Sequence, residues 1–202
     1  VEHHMPDYSL YNEYIEIQTG GDPVKKKRKW NDYLNYSIGF TTRGCIRQCG
    51  FCVNRLLNRV VEWSPVSEFV DPNRPAIYLW DDNIMAAPPK VFKSVMDSLQ
   101  ATNKPFQFRQ GMDIRLMTNE KAELLSKVKY HGDYIFSFDH YKMDDPTEKR
   151  HVEQTIRGLD IWRKHCNKST KLYVLVAYDS QDEKDIEGAF FMCIKAYIIY
   201  YF

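Results

Sequence analysis

From residue 36 onward, apolar positions fall into short unbroken runs separated by longer stretches with a helical period. YSIGFTT at 36–42, AIYLW at 76–80, FQFRQ at 106–110, YIFSF at 134–138 and LYVLVAY at 172–178 read as strands, and YIIYYF at 197–202 as the start of a sixth. Between them, Val91, Phe92, Val95, Met96 and Leu99 put one apolar face on a helix opened by Pro88 and Pro89. Thr118 or Asn119 caps a second helix, with Ala122, Leu125 and Val128 on its buried face. Val152, Ile156, Leu159 and Trp162 mark a third, and Ser180 with Glu183 forms a capping box for a fourth. Repeated βα units predict an α/β protein whose parallel sheet is covered by helices. Strands buried on both faces lack polar alternation, as these do. An open doubly wound sheet and a barrel both satisfy the pattern. In either, chemistry sits at the carboxyl ends of the strands. Arg43, Asp81, Asp82, Asn83, Gln110, Asp113, Arg115, Asp139, His140 and Asp179 follow strands in that way.

The first 30 residues show little periodicity. Residues 1–32 read as an extension or linker from a preceding domain, and residues 33–202 as one core domain. Gly20, Gly21, Asp22 and Pro23 signal a turn, and KKKRK at 25–29 reads as a solvated loop beside it. The chain begins at Val1 without an apolar leader, and the apolar run at 189–202 is shorter than the roughly 20 residues a membrane span needs. The expectation is a fragment truncated at both ends, with no membrane partner.

Composition narrows the class. The chain has 202 residues, a formal net charge of +1 and 44% hydrophobic residues, enough for one domain with a real core. That excludes a disordered chain and supplies no global charge to attract nucleic acid. Three of the five cysteines are clustered in TRGCIRQCGFC at 42–52. A secreted disulfide framework needs spread, paired cysteines, so a reducing, cytoplasmic setting is expected.

The cluster has the spacing Cys45-x3-Cys49-x2-Cys52. Structural zinc wants four ligands, commonly two C-x2-C pairs, and only one pair is present. A dithiol redox motif needs two cysteines rather than three. Iron–sulfur clusters are held by thiolates on compact loops, and three thiolates leave one iron of a 4Fe–4S cluster without a protein ligand. An open coordination position of that kind suits a catalytic centre.

C-x3-C-x2-C directly after a first strand, with Phe51 before the last cysteine, resembles the radical S-adenosylmethionine superfamily. PDYSLY at 6–11, LWDDN, QGMDIRL and FSFDH resemble a branch whose radical domain follows a cobalamin-binding-like domain. The likeness runs from Pro6 to Tyr178. It implies a partial (β/α)6 TIM-like barrel in which Cys45, Cys49 and Cys52 hold a 4Fe–4S cluster. In that superfamily the amino and carboxylate groups of S-adenosylmethionine chelate the fourth iron. The reduced cluster cleaves the sulfonium to methionine and a 5′-deoxyadenosyl radical, which abstracts hydrogen from the substrate. The resemblance further implies that Phe51 lies against adenine and that Asp81, Asp82 and Asn83 hold the methionine amino group. Gln110, Arg115, Ser137 and Asp139 take the ribose and carboxylate places, and Val176 packs on adenine. Asp113 and His140 are the candidate acid or base for an unknown substrate. An electron donor such as flavodoxin or ferredoxin is implied, and cobalamin enters only through a domain outside this chain.

Other readings stand beside this one. Sulfur-inserting tRNA methylthiotransferases carry a second cluster, which Cys166 and Cys193, on two different expected helices, do not form. These two read as free thiols packed as small hydrophobes. A non-catalytic iron–sulfur or electron-transfer protein needs no βα repeat. A zinc-binding interaction module is the third rival.

Overall fold

The computed structural model describes residues 3–54, 57–140 and 145–175. Strands β1 (Tyr36–Gly39), β4 (Ala76–Leu79) and β5 (Phe106–Phe108) form a parallel sheet in the order β1-β4-β5. Between β1 and β4 the chain makes a two-stranded antiparallel ribbon, β2 (Thr42–Arg43) with β3 (Val61–Glu62). Strands β6 (Tyr134–Ser137) and β7 (Thr170–Tyr173) pair in parallel. Isolated parallel bridges, Phe106 with Tyr130 and Met112 with Phe136, link β6 to the β5 side. The result is an α/β fold with helices alternating between parallel strands, and no closed barrel is present among the described residues.

Each strand has two faces with different partners. Ile77, Leu79, Phe106, Phe108, Tyr134 and Phe136 point toward the helices and join one core. Helix α3 (Pro89–Ala101) contributes Phe92, Val95, Met96 and Leu99; α4 (Asn119–Lys127) contributes Ala122 and Leu125; α5 (Pro146–His165) contributes Leu159 and Trp162. Full burial of a Val, Leu, Ile, Phe or Met side chain among these stabilises the fold by about 1.5–3 kcal/mol. Thr118 caps α4 through the Lys121 amide, and Val128, expected inside the helix, instead follows its last turn and stays buried. The opposite sheet face carries Tyr36 stacked on Tyr78 at 3.8 Å, then Gln107 beside Tyr78.

The N-terminal stretch departs from the expected linker. It forms α1 (Asn12–Thr19) and α2 (Pro23–Asn35), so the boundary expected at residue 32 falls inside a helix, and Lys25 to Lys29 are helical rather than looped. Asp22 caps α2 by accepting from the Val24 and Lys25 amides, and Pro23 occupies the first helical position, where its missing N–H costs nothing. Tyr8 ties the stretch to the core: its hydroxyl donates to the Phe69 carbonyl at 2.7 Å and accepts from the Ile38 amide at 2.8 Å. The strand expected at 36–42 also breaks, with β1 ending at Gly39 and the chain turning into the ribbon. β7 begins at Thr170, two residues before the expected start. The expected sixth strand, the Ser180–Glu183 capping box, Val176, Asp179 and Cys193 lie outside the described residues. Among those described, no helix is long and apolar enough to cross a membrane.

Candidate active site

The cysteine loop leaves the sheet through two buried threonines. Asp81, at the end of β4, accepts four hydrogen bonds from them: the Thr41 amide and hydroxyl at 3.1 and 2.6 Å, and the Thr42 amide and hydroxyl at 2.6 and 2.7 Å. Burial pushes its carboxyl up, and those donors oppose the shift. Asp81 therefore anchors the loop from beneath and does not line the cavity above it. Asp82 clamps the loop at both ends, accepting from the Gly44 amide at 2.7 Å and from the Asn54 side-chain amide at 2.6 Å. Gly44 has φ +95°, and a Cβ there would lie 2.0 Å from the Arg59 carbonyl oxygen, so only glycine fits before Cys45.

Cys45, Cys49 and Cys52 all line one cavity of about 430 Å³. Four further expected groups from the ends of three other strands join them: Asn83 after β4, Gln110 and Arg115 after β5, and Asp139 after β6. Phe51, Asp82, Asp113 and Ser137 line it too. The Cys45 sulfur accepts from the Arg47 amide at 3.3 Å and from the Asn83 side-chain amide at 3.2 Å; the Cys52 sulfur accepts from the Asn54 amide at 3.4 Å. Burial pushes the Cys49 thiol up; Arg115 opposes this, while Asp139, Cys45 and Cys52 add to it. No disulfide joins the described cysteines, and Cys166 packs at the edge of the core.

Asn83 also carries the one buried side-chain polar atom without a hydrogen-bond partner among the described residues, its Oδ1. Leaving such an acceptor unmet costs about 1–3 kcal/mol. Three cysteine sulfurs on one loop, with an unmet acceptor beside them, form a donor set that could hold a metal or cluster.

The two candidate acid–base residues play different parts. Asp113 is buried between two guanidinium groups. Arg115 donates Nε to Oδ1 at 2.6 Å and Nη2 to Oδ2 at 3.1 Å, and Arg47 donates Nε to Oδ2 at 2.9 Å. Burial alone would raise this carboxyl, but the two arginines outweigh it and hold it below the ordinary carboxylate value. Asp113 is thus an anion held between two guanidinium groups. His140 lies behind Arg115, with Nε2 against Nη1 at 2.6 Å and Nδ1 against Glu148 at 2.8 Å, and does not line the cavity. Asp139 is the cavity carboxyl with raised proton affinity, chiefly from burial, against the opposing charge of Arg115.

Ligating atoms of His140, Glu148 and His151 lie within 4.8 Å of one another. A guanidinium only donates, so Arg115 requires a lone pair on His140 Nε2 and places the proton on Nδ1, facing Glu148. The trio is therefore a hydrogen-bonded relay rather than a metal cage. Sequence reasoning passed over Arg47, Asn54 and Tyr173, which also line the cavity. The signal for Arg47 was a cation inside the cysteine spacing. Tyr173 shares a sheet face with Ser137, its register partner. No protein-family model matches the chain, and no curated protein matches it.

Proposed function

We propose that the chain is the catalytic core of a radical S-adenosylmethionine enzyme. The observation that carries this reading is one cavity that gathers three loop cysteines with polar groups from the ends of successive parallel strands. The finer architecture we infer is a partial (β/α)6 barrel, with β1, β4, β5, β6 and β7 as five of its strands.

When bound, a reduced 4Fe–4S cluster supplies the electron that cleaves the sulfonium C–S bond of S-adenosylmethionine. Cys45, Cys49 and Cys52 would hold it, with the amides of Arg47 and Asn54 and the side chain of Asn83 directed at the Cys45 and Cys52 sulfurs. Asn83 Oδ1 is the acceptor for the methionine ammonium. Arg115 has already given its fork to Asp113 and one Nη1 hydrogen to His140, leaving a second N–H on each terminal nitrogen. It therefore acts as a rigid charged wall rather than as a free carboxylate clamp. Asp139 is the group suited to holding a proton near the substrate. Phe51 and Tyr173 offer half-exposed rings for an adenine face.

Anaerobic reconstitution with iron and sulfide, followed by dithionite and S-adenosylmethionine, tests this. Brown protein that yields 5′-deoxyadenosine, with Cys49→Ala inert, is the expected result. Colourless protein holding zinc would overturn the reading. A stable cluster that produces no 5′-deoxyadenosine would favour an electron carrier.

A further inference from the structure

Beside the cysteine cavity lies a second pocket of about 510 Å³, lined by Arg47, Pro146, Thr147, Arg150, His151 and Gln154. Arg47 belongs to both. Among the described residues, no carboxylate lines this second pocket. Arg47 spends only Nε on Asp113, and its terminal nitrogens have no partner among the described residues. The Arg150 guanidinium is exposed and likewise has no such partner. Of the described acids nearby, Asp113 pairs with Arg47 and Arg115, Glu148 pairs with His140 while lying within 4.8 Å of His151, and Asp145 caps the first amides of α5.

His151 completes the set. Its Nδ1 lies 3.3 Å from His140 Nδ1, the nitrogen that carries a proton because Arg115 occupies the other side of the ring. Whichever tautomer His151 adopts, its ring keeps one N–H donor. Even the neutral ring is then a donor. Burial first, then the Arg115 and Arg47 guanidinium groups, push the His151 pKa down against Glu148.

We propose that Arg47, Arg150 and His151 form a subsite for an anionic oxygen group, phosphate or carboxylate, of the substrate that reaches the cysteine cavity. Arg47, shared by the two cavities, sets that group beside the cysteines. Only the word substrate rests on the radical-enzyme reading; the binding of an anion does not.

The test is a titration of the iron-free chain with inorganic phosphate and, separately, with succinate, following the His151 ring resonances by NMR. The expected result is a saturable shift with at least one probe and a raised His151 pKa in its presence. Arg150→Gln is expected to weaken binding roughly tenfold, the loss of one charge-assisted contact. A tighter phosphate curve names phosphate as the group, and a tighter succinate curve names carboxylate. Absence of a saturable shift with both probes, or equal affinity in Arg150→Gln, would overturn the proposal. Failure of cluster assembly leaves this titration intact, so the two ideas fall separately.

Discussion

Arg115 grips Asp113 two residues earlier in the chain, Nε on Oδ1 at 2.6 Å and Nη2 on Oδ2 at 3.1 Å. A fork that closes on its own neighbour fixes the guanidinium plane before any ligand arrives. Arg47 then ties the same carboxylate to the cysteine loop, and His140 backs the far side of the fork. Loop, turn and relay thus share one buried anion.

Asp113→Asn should therefore be costly. It leaves two guanidinium groups around a neutral amide, and breaking a buried pair in this way typically costs about 3–5 kcal/mol. The pH dependence has a definite sign. A carboxyl whose folded pKa lies below its unfolded value of about 3.9 contributes stability that is fully present above that value. The contribution is lost as pH falls through the depressed folded value. The gap between wild type and Asp113→Asn, read from urea melts, should be widest near neutrality and shrink in acid. A gap independent of pH would show that the arginines are not what Asp113 serves.

Asp82 should matter to the loop more than to the fold. Its carboxylate holds the Gly44 amide and the Asn54 side chain, one on each side of the cysteines. Hydrogen bonds to a charged group are worth about 1.5–3 kcal/mol each. Asp82→Ala should lower the global melt by less than the sum of these contacts, because the loop can open without the sheet, and should speed amide exchange across residues 44–54, with lower iron incorporation on reconstitution. Exchange as slow as in wild type would mean that the β2–β3 ribbon alone fixes the loop.

The strands were legible because burial on both faces leaves unbroken apolar runs, as in Ala76–Leu79 and Tyr134–Ser137. Helix α2 was not, since it has no buried residue and so carries no apolar period; only the Asp22–Pro23 start betrays it. The ribbon was hidden for another reason. Thr41 and Thr42 look like a continuation of β1 until Asp81, some 40 residues later, pulls them away. The cysteines, Asn83, Gln110 and Asp139 were readable from their place after strands. Asp81 and His140 occupy equivalent places, yet one ends beneath the loop and the other behind Arg115. Spacing alone does not encode which way a strand-end side chain turns.

Gly158 sets two effects against each other. Alanine is favoured over glycine in a helix interior by about 1 kcal/mol. At this position, however, a Cβ would lie 2.1 Å from the Ile114 carbonyl oxygen, where α5 crosses the turn that carries Asp113 and Arg115. Backbone cannot yield as a side chain does, and overpacking costs about 1–3 kcal/mol or more. Gly158→Ala is expected to lower the urea midpoint and to disturb the Arg115–His140 contact. A raised midpoint would show that α5 can shift at no cost.

Asn83 offers a separation of stability from function. Its Oδ1 is buried and unmet, a cost of about 1–3 kcal/mol that the folded chain carries unless a ligand donates to it. Asn83→Leu removes the orphan acceptor at similar volume, giving up only the contact from Nδ2 to the Cys45 sulfur. The variant is expected to be as stable as wild type or more so in the iron-free state. Binding of S-adenosylmethionine to the reconstituted protein should weaken by about tenfold, equivalent to ~1.4 kcal/mol. Asn83→Asp should behave differently, because it puts an anion in place of a donor beside the cysteine thiolates, and cluster assembly itself should suffer. Thermal melts of the iron-free proteins, paired with equilibrium binding on the reconstituted ones, check both halves. Asn83→Leu that loses stability while keeping full affinity would show the oxygen to be met within the fold, and the methionine ammonium would then have to be held elsewhere.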